Sequence, residues 1–274
     1  MNLDITFGQY CEGDSVIHRM DPRAKIIAVL LYIVVIFLAK SFAAFGLLTA
    51  AAVVLVLLSG IRPRIILHGL KPLMFILLFT VVLNIFFIKG TTLLFEWAFI
   101  HVYLEGIFNA LLIALRIVLL LVSTSVLMTY TTTPIALTDG LEQLLSPLKR
   151  IHIPVHEFSM MMTIALRFIP TLIEDTEKIM NAQKARGADF STGSLIQRAR
   201  ALIPILVPLF ISAFRRADEL ATAMECRCYT GGEGRTRMNV LHAHARDVIA
   251  CIGICLLGAG VVLLNRFGAY MLSW

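Results

Sequence analysis

Two apolar patterns divide the chain. Up to residue 130, and again near residue 250, apolar residues run almost without interruption, whereas between 131 and 246 they recur at three- and four-residue steps with charges between them. The first pattern suits helices surrounded by lipid and the second suits amphipathic helices. A helical span needs about 20 apolar residues and tolerates about 17. Ile26–Ala39 and Phe42–Ser59, broken by Lys40-Ser41, predict a hairpin. The first of these reaches spanning length if its helix starts at Ala24 and Lys25 snorkels toward water. Leu73–Ile88, after Pro72, and Tyr103–Tyr130, interrupted by Glu105 and Arg116, predict spans three and four. Val248–Leu264 predicts a fifth. Ala201–Phe214 is only 14 residues long and is bracketed by Arg198, Arg200, Arg215 and Arg216, so it is expected to lie at an interface or inside protein.

The middle region reads as long helices. From Glu157 onward, Met161, Ile164, Ala165, Phe168, Leu172 and Ile179 form one apolar stripe, and Gly187 follows Arg186 where a helix C-cap is expected. A second long helix follows, with Arg227 in its last turn and Gly231-Gly232 as the expected stop. Pro170, Pro204 and Pro208 are expected to kink these helices. Arg186, in QKARGADF, and Arg227, in TAMECRCYT, are thus 41 positions apart near the ends of two similar helices, each flanked by small residues. A basic helix end held by the dipole or by lipid phosphate explains the charge. It does not explain the small neighbours, which let another chain approach until an arginine fork reaches its carboxylates or helix-end carbonyls.

Composition fixes the class. The 274 residues are 58% hydrophobic and 15% charged, with mean hydropathy +0.84, which is an integral membrane protein. With the N-terminus inside, 20 of the 24 lysines and arginines fall on inside segments, and Lys40, Lys89 and Arg266 fall outside. The positive-inside rule favours that orientation, and the short loops alone give the same sign. The opening MNLDITFGQYCEGDS is polar and acidic, so no cleaved signal is expected.

Other chemistry is weakly supported. Five cysteines, with Cys11, Cys251 and Cys255 isolated, indicate neither a disulfide framework nor structural zinc. Gly231–Arg235 lacks the spacing and the lysine of a phosphate loop. Cys226 and Cys228 sit on alternate positions and are read as small packing residues, and the His242/His244 pair as part of a solvated loop. Arg116, placed near the middle of the fourth span, is read as paired within the bundle to Glu105 or Asn84. Repeated intramembrane acids and an inverted repeat, the marks of a self-sufficient carrier, are absent. Met160, Met161, Met162, Met180 and Met224 cluster in the amphipathic helices, where methionine serves packing or an adaptable partner surface.

GDSVIHRMDPRAK, TTTP, LRFIPTL, QKARGA and AMECRCY, in that order, resemble the transmembrane T component of energy-coupling-factor transporters, bacterial and archaeal importers of vitamins and transition-metal ions. The resemblance implies an all-α integral membrane protein with about five transmembrane helices and a cytoplasmic domain of long amphipathic coupling helices. The expected division is 1–130 for four spans, 131–246 for the coupling helices and 247–274 for the last span, in the cell membrane with the N-terminus and coupling domain cytoplasmic. Ala185, Arg186 and Gly187 match the family's first Ala-Arg-Gly docking motif. Cys226, Arg227 and Cys228 occupy the second, with cysteine in place of alanine and glycine. The partners implied are two ABC-type ATPase subunits and a membrane-embedded, substrate-binding S component, besides lipid and without nucleic acid. Met160, Met161, Met162, Phe168 and Phe210 are expected to face the S component. ATP and magnesium belong to the ATPase subunits, and this chain carries no catalytic residue, metal or cofactor. The expected role is coupling ATP hydrolysis to vitamin uptake, shared among several S components. The alternatives are a component dedicated to cobalt or nickel, or a stand-alone permease.

Overall fold

The computed structural model describes residues 10–11, 13–87, 93–97, 100–151, 154–188, 190, 194–231 and 244–267. His242, Gly232 and Lys89 lie outside the described residues. The chain divides into two compact units, 1–143 with 241–274, and 144–240.

In the first unit, α1 (Pro22–Leu38), α2 (Phe42–Ser59), α3 (Pro63–Leu70), α4 (Met74–Phe87), α5 (Leu104–Thr124), α6 (Pro134–Leu144, its last residue in the other unit) and α9 (Ala245–Phe267) follow in chain order. Among the described residues, four helical stretches are long and apolar enough to cross a membrane: Phe42–Ser59, Pro63–Phe87, Leu104–Tyr130 and Ala245–Arg266. The 17 residues of α1 reach the lower limit of spanning length. The all-α membrane class therefore holds. One hairpin interrupts it, β1 (Leu93–Trp97) antiparallel to β2 (Ile100–Tyr103), with Glu96 opposite His101. It lies between the predicted third and fourth spans and takes in Tyr103, the first residue of the latter, in a stretch where aromatic and β-branched residues favour paired strands.

The core lies where α1, α2, α5 and α9 meet, around Tyr32, Ile36, Phe45, Leu48, Leu112 and Val261. Lipid tails are as apolar as leucine, so such a bundle holds through close packing and polar ties rather than expulsion of water. Gly258 shows the closeness: a Cβ there would come within 2.9 Å of the Val35 side chain. Helix α4 packs on α5 and leaves Phe75, Phe79 and Phe87 exposed, as a lipid-facing helix does.

Polar ties close both ends of this bundle. At one end Asp21 caps α1 by accepting from the Arg23 N–H at 2.9 Å, with Pro22 in the first helical position. Asp247 takes the Asp21 N–H at 3.0 Å and the His244 N–H at 2.8 Å, so one carboxylate serves the starts of α1 and α9. Lys25 does not snorkel: it is 1% exposed, and its ammonium donates to the Thr131 carbonyl at 2.8 Å, Thr131 Oγ1 at 3.3 Å and Thr132 Oγ1 at 3.1 Å. Burial is tolerable because three oxygens replace its hydration. At the other end Asn265 accepts from the Lys40 and Ser41 N–H groups, both at 3.1 Å, and donates to the Leu38 carbonyl at 2.6 Å. Arg116 donates to the Ala39 carbonyl at 2.8 Å, with its guanidinium 5.9 and 5.5 Å from the ring centres of Phe37 and Phe45. That corrects the expected partners. Asn84 donates within its own helix to the Thr80 carbonyl, and Glu105 lies three turns, about 16 Å, back along the helix axis.

The second unit holds a 3-10 turn, Ser146–Ile151, then α7 (Val155–Ala185) and α8 (Leu195–Cys226), of 31 and 32 residues. Each is close to 48 Å long by the helical rise. Both helices continue through their prolines. Ser194 starts α8 with a capping box: its Oγ takes the Gln197 N–H at 3.4 Å while Gln197 returns to the Ser194 N–H at 3.0 Å. The apolar stretch Ala201–Phe214 is the middle of this long helix.

Candidate functional site

The two predicted arginine motifs end these long helices, and their backbones close alike. At the end of α7 the Gly187 N–H reaches the Lys184 carbonyl at 2.9 Å, and the Ala188 N–H reaches the Gln183 carbonyl at 3.0 Å. At the end of α8 the Cys228 N–H reaches the Glu225 carbonyl at 2.9 Å, and the Tyr229 N–H reaches the Met224 carbonyl at 3.0 Å. A pair of such bonds around one left-handed residue is the Schellman closure. The left-handed residues are Gly187, φ +86°, and Cys228, φ +57°.

This places the six motif residues in matching positions. Ala185 and Cys226 are the last helical residues, and Arg186 and Arg227 are the C-caps with φ −85° and −95°. Gly187 and Cys228 turn the chain. All six are exposed, so each guanidinium stands at the negative end of its helix dipole, where a cation is favoured, and is open to an incoming carboxylate. Gly231 was the expected stop for α8, yet the helix has already ended at Cys226 and Gly231 lies beyond, at φ +103°. Cys228 is the one non-glycine with positive φ among the described residues. A side chain in that conformation costs about 1–2 kcal/mol. The residue type does not announce this conformation, because cysteine has no preference for left-handed backbone; only its alignment with the glycine of the first motif points to it.

Of the predicted partner-facing residues, Met161, Met162 and Phe210 are exposed, and Met160 is half-buried. Phe210 packs its ring on Phe214 with centroids 4.7 Å apart. It belongs to an exposed apolar row with Leu202, Ile203, Leu206, Val207 and Ile211. Phe168 instead lines a groove of about 320 Å³ between α7 and α8, with Ile164 and Leu172 from one helix and Ala213, Ala217 and Ala221 from the other. The two helices are tied there by an ion pair between Asp175 and Arg216. The sequence reading missed this pair because a contact 41 residues apart leaves no local pattern.

Two motifs with no assigned chemistry also gain one. DPRAK and TTTP supply two buried ties, Lys25 to Thr131 and Thr132 and Asp21 to Asp247. A lysine at the start of an apolar run was the available signal. Snorkelling and burial look the same in sequence.

A family described as CbiQ, cobalt transport protein, matches residues 13–238. The chain is also similar to proteins named energy-coupling factor transporter transmembrane protein EcfT. That of Ruminiclostridium cellulolyticum is 55% identical over 249 residues, covering 91% of this chain and 92% of the relative. That of Clostridium kluyveri is 55% identical over 253 residues, covering 92% and 93%. That of Lactococcus lactis subsp. cremoris is 44% identical over 263 residues, covering 96% and 98%.

Proposed function

The chain belongs to the family of energy-coupling-factor transporter transmembrane proteins, and from that premise we propose that it couples ATP hydrolysis in two separate ABC-type ATPase subunits to the movement of a membrane-embedded S component. The observation that carries this reading is the pair of exposed arginines held at two identically closed helix ends. Two equivalent ends suit two equivalent subunits. Each guanidinium can form a two-pronged bond with a carboxylate, and the turn after it removes the backbone from the path of the approaching chain.

The mechanism asks little chemistry of this chain. The ATPase subunits hold ATP and magnesium and carry out hydrolysis. Their closure displaces the ends of α7 and α8, and helices of this length pass the displacement on to whatever rests against them. The exposed row with Phe210, and Met161 and Met162 on α7, supply the apolar surface for the S component. Methionine-rich surfaces repack against different partners, which favours one chain serving several vitamin-binding S components. A second reading is dedication to cobalt or nickel, for which the description of the matching family as a cobalt transport protein speaks on the side of cobalt. In either reading the complex sits in a bacterial cell membrane with both arginine ends in the cytoplasm.

Purification of the tagged chain in mild detergent, with mass identification of what accompanies it, tests the proposal. Two ATPases with several small membrane proteins are expected. A single metal-specific partner would select the second reading, and transport by the chain alone in liposomes would overturn both.

A further inference from the structure

The Asp175–Arg216 pair occupies a particular place relative to the two ends. Asp175 lies eleven residues before Arg186, and Arg216 eleven before Arg227. At 1.5 Å per residue each arginine is about 16 Å along its helix from the ion pair, and eleven residues of 100° return to within about 20° of the same face. The pair thus sits at equal contour distance from both ends and on the same side of each helix.

The surroundings give this pair unusual weight. Ala213, Ala217 and Ala221 present a row at four-residue spacing along the groove that Ile164, Phe168 and Leu172, spaced likewise, also line. Rows of that spacing favour crossing at about 50°, from which two arms diverge. On the α8 side these alanines stand beside Leu220 and Met224 in the groove of about 320 Å³, and three short side chains in a row interlock little with the facing ridge, so packing alone sets the crossing angle weakly. Asp175 and Arg216 are mostly buried there, with side chains 17% and 28% exposed.

We propose that the Asp175–Arg216 ion pair is the pivot of α7 and α8, a positioning pair that fixes their crossing so that displacement of one arginine end is transmitted to the other. Without it the alanine surface slides, and the two ends move independently. Its part in transport rests on the docking reading above, but the pivot itself is a property of this chain alone.

The test uses the full chain in detergent, without ATPases, with its five native cysteines replaced by serine and spin labels on Ala182→Cys and Ala223→Cys, one turn before each arginine. A single narrow distance distribution is expected. Asp175→Asn and Arg216→Gln should broaden it about twofold, Arg216→Lys should fall between, and the exchange Asp175→Arg with Arg216→Asp should narrow it again, as charge pairs in contact do in double-mutant cycles. Arg216→Lys carries the test if a charge-removing variant does not fold. In the co-expressed complex the charge-removing variants should retain both ATPases while uptake falls about tenfold, the loss of one pairwise coupling. Distributions as narrow as the parent's, or an exchange that leaves the broadening in place, would overturn the pivot. A parent chain that retains no ATPase would instead overturn the docking reading and leave the pivot standing.

Discussion

The ends of α7 and α8 have one geometry and two sequences. Both close with the same pair of hydrogen bonds around a left-handed residue, but that residue is glycine in one and cysteine in the other. A Cβ on Gly187 would touch nothing within 4 Å, so the only demand there is on backbone conformation. Cys228 meets the same demand with a side chain, at a conformational cost. The comparison teaches that what the two ends share is the presentation of an arginine by a turned helix terminus. The residue that makes the turn is secondary.

The strongest challenge to that equivalence is to remove both arginines. Arg186→Ala with Arg227→Ala is expected to abolish ATPase co-purification and uptake, while either single variant retains part of each; normal assembly of the double variant would show that the ends do not dock. Gly187→Val comes next. A β-branched side chain at φ +86° should cost about 2 kcal/mol, read as loss of hydrogen-exchange protection at the Ala188 amide while the Tyr229 amide is unaffected. Cys228→Gly should act in the opposite sense and more weakly. It relieves the left-handed side chain but adds freedom to the unfolded chain, for a net gain of at most about 1 kcal/mol in the protection of the Tyr229 amide. Smallest of all is the exchange, Gly187→Cys with Cys228→Gly. If the ends are equivalent the two changes cancel to within about 0.5 kcal/mol, and uptake stays at the parent level; a large loss would mean that one end needs its own residue for contact rather than for the turn.

Much of the architecture was readable because its causes are local. The second span was placed at Phe42–Ser59, the limits of α2, since continuous apolarity and a following glycine decide both. The end of α7 was likewise set by Gly187, whose preference for left-handed backbone belongs to the residue itself. The end of α8 was misplaced for the same reason. The glycine signal points to Gly231, while the turn is made earlier, at Cys228, by a residue with no such preference. Lys25 and Arg116 show a different limit. Lys25 is legible as a charge at the start of an apolar run and Arg116 as one within a run, but the oxygens that receive them come from Thr131, Thr132 and Ala39, 106, 107 and 77 residues away.

The sequence by itself therefore determined the membrane class, the apolar spans, the two long amphipathic helices and the 41-residue interval between the arginines, because hydropathy, helical period and chain length act within a few turns. Only the tertiary structure decided that Cys228 adopts the left-handed backbone of a glycine, that Lys25 turns inward, and that Asp175 meets Arg216 at equal distance from the two helix ends. Those outcomes depend on which distant groups arrive to supply hydrogen bonds, charge or space, and the free energy of a buried polar contact belongs to both partners at once.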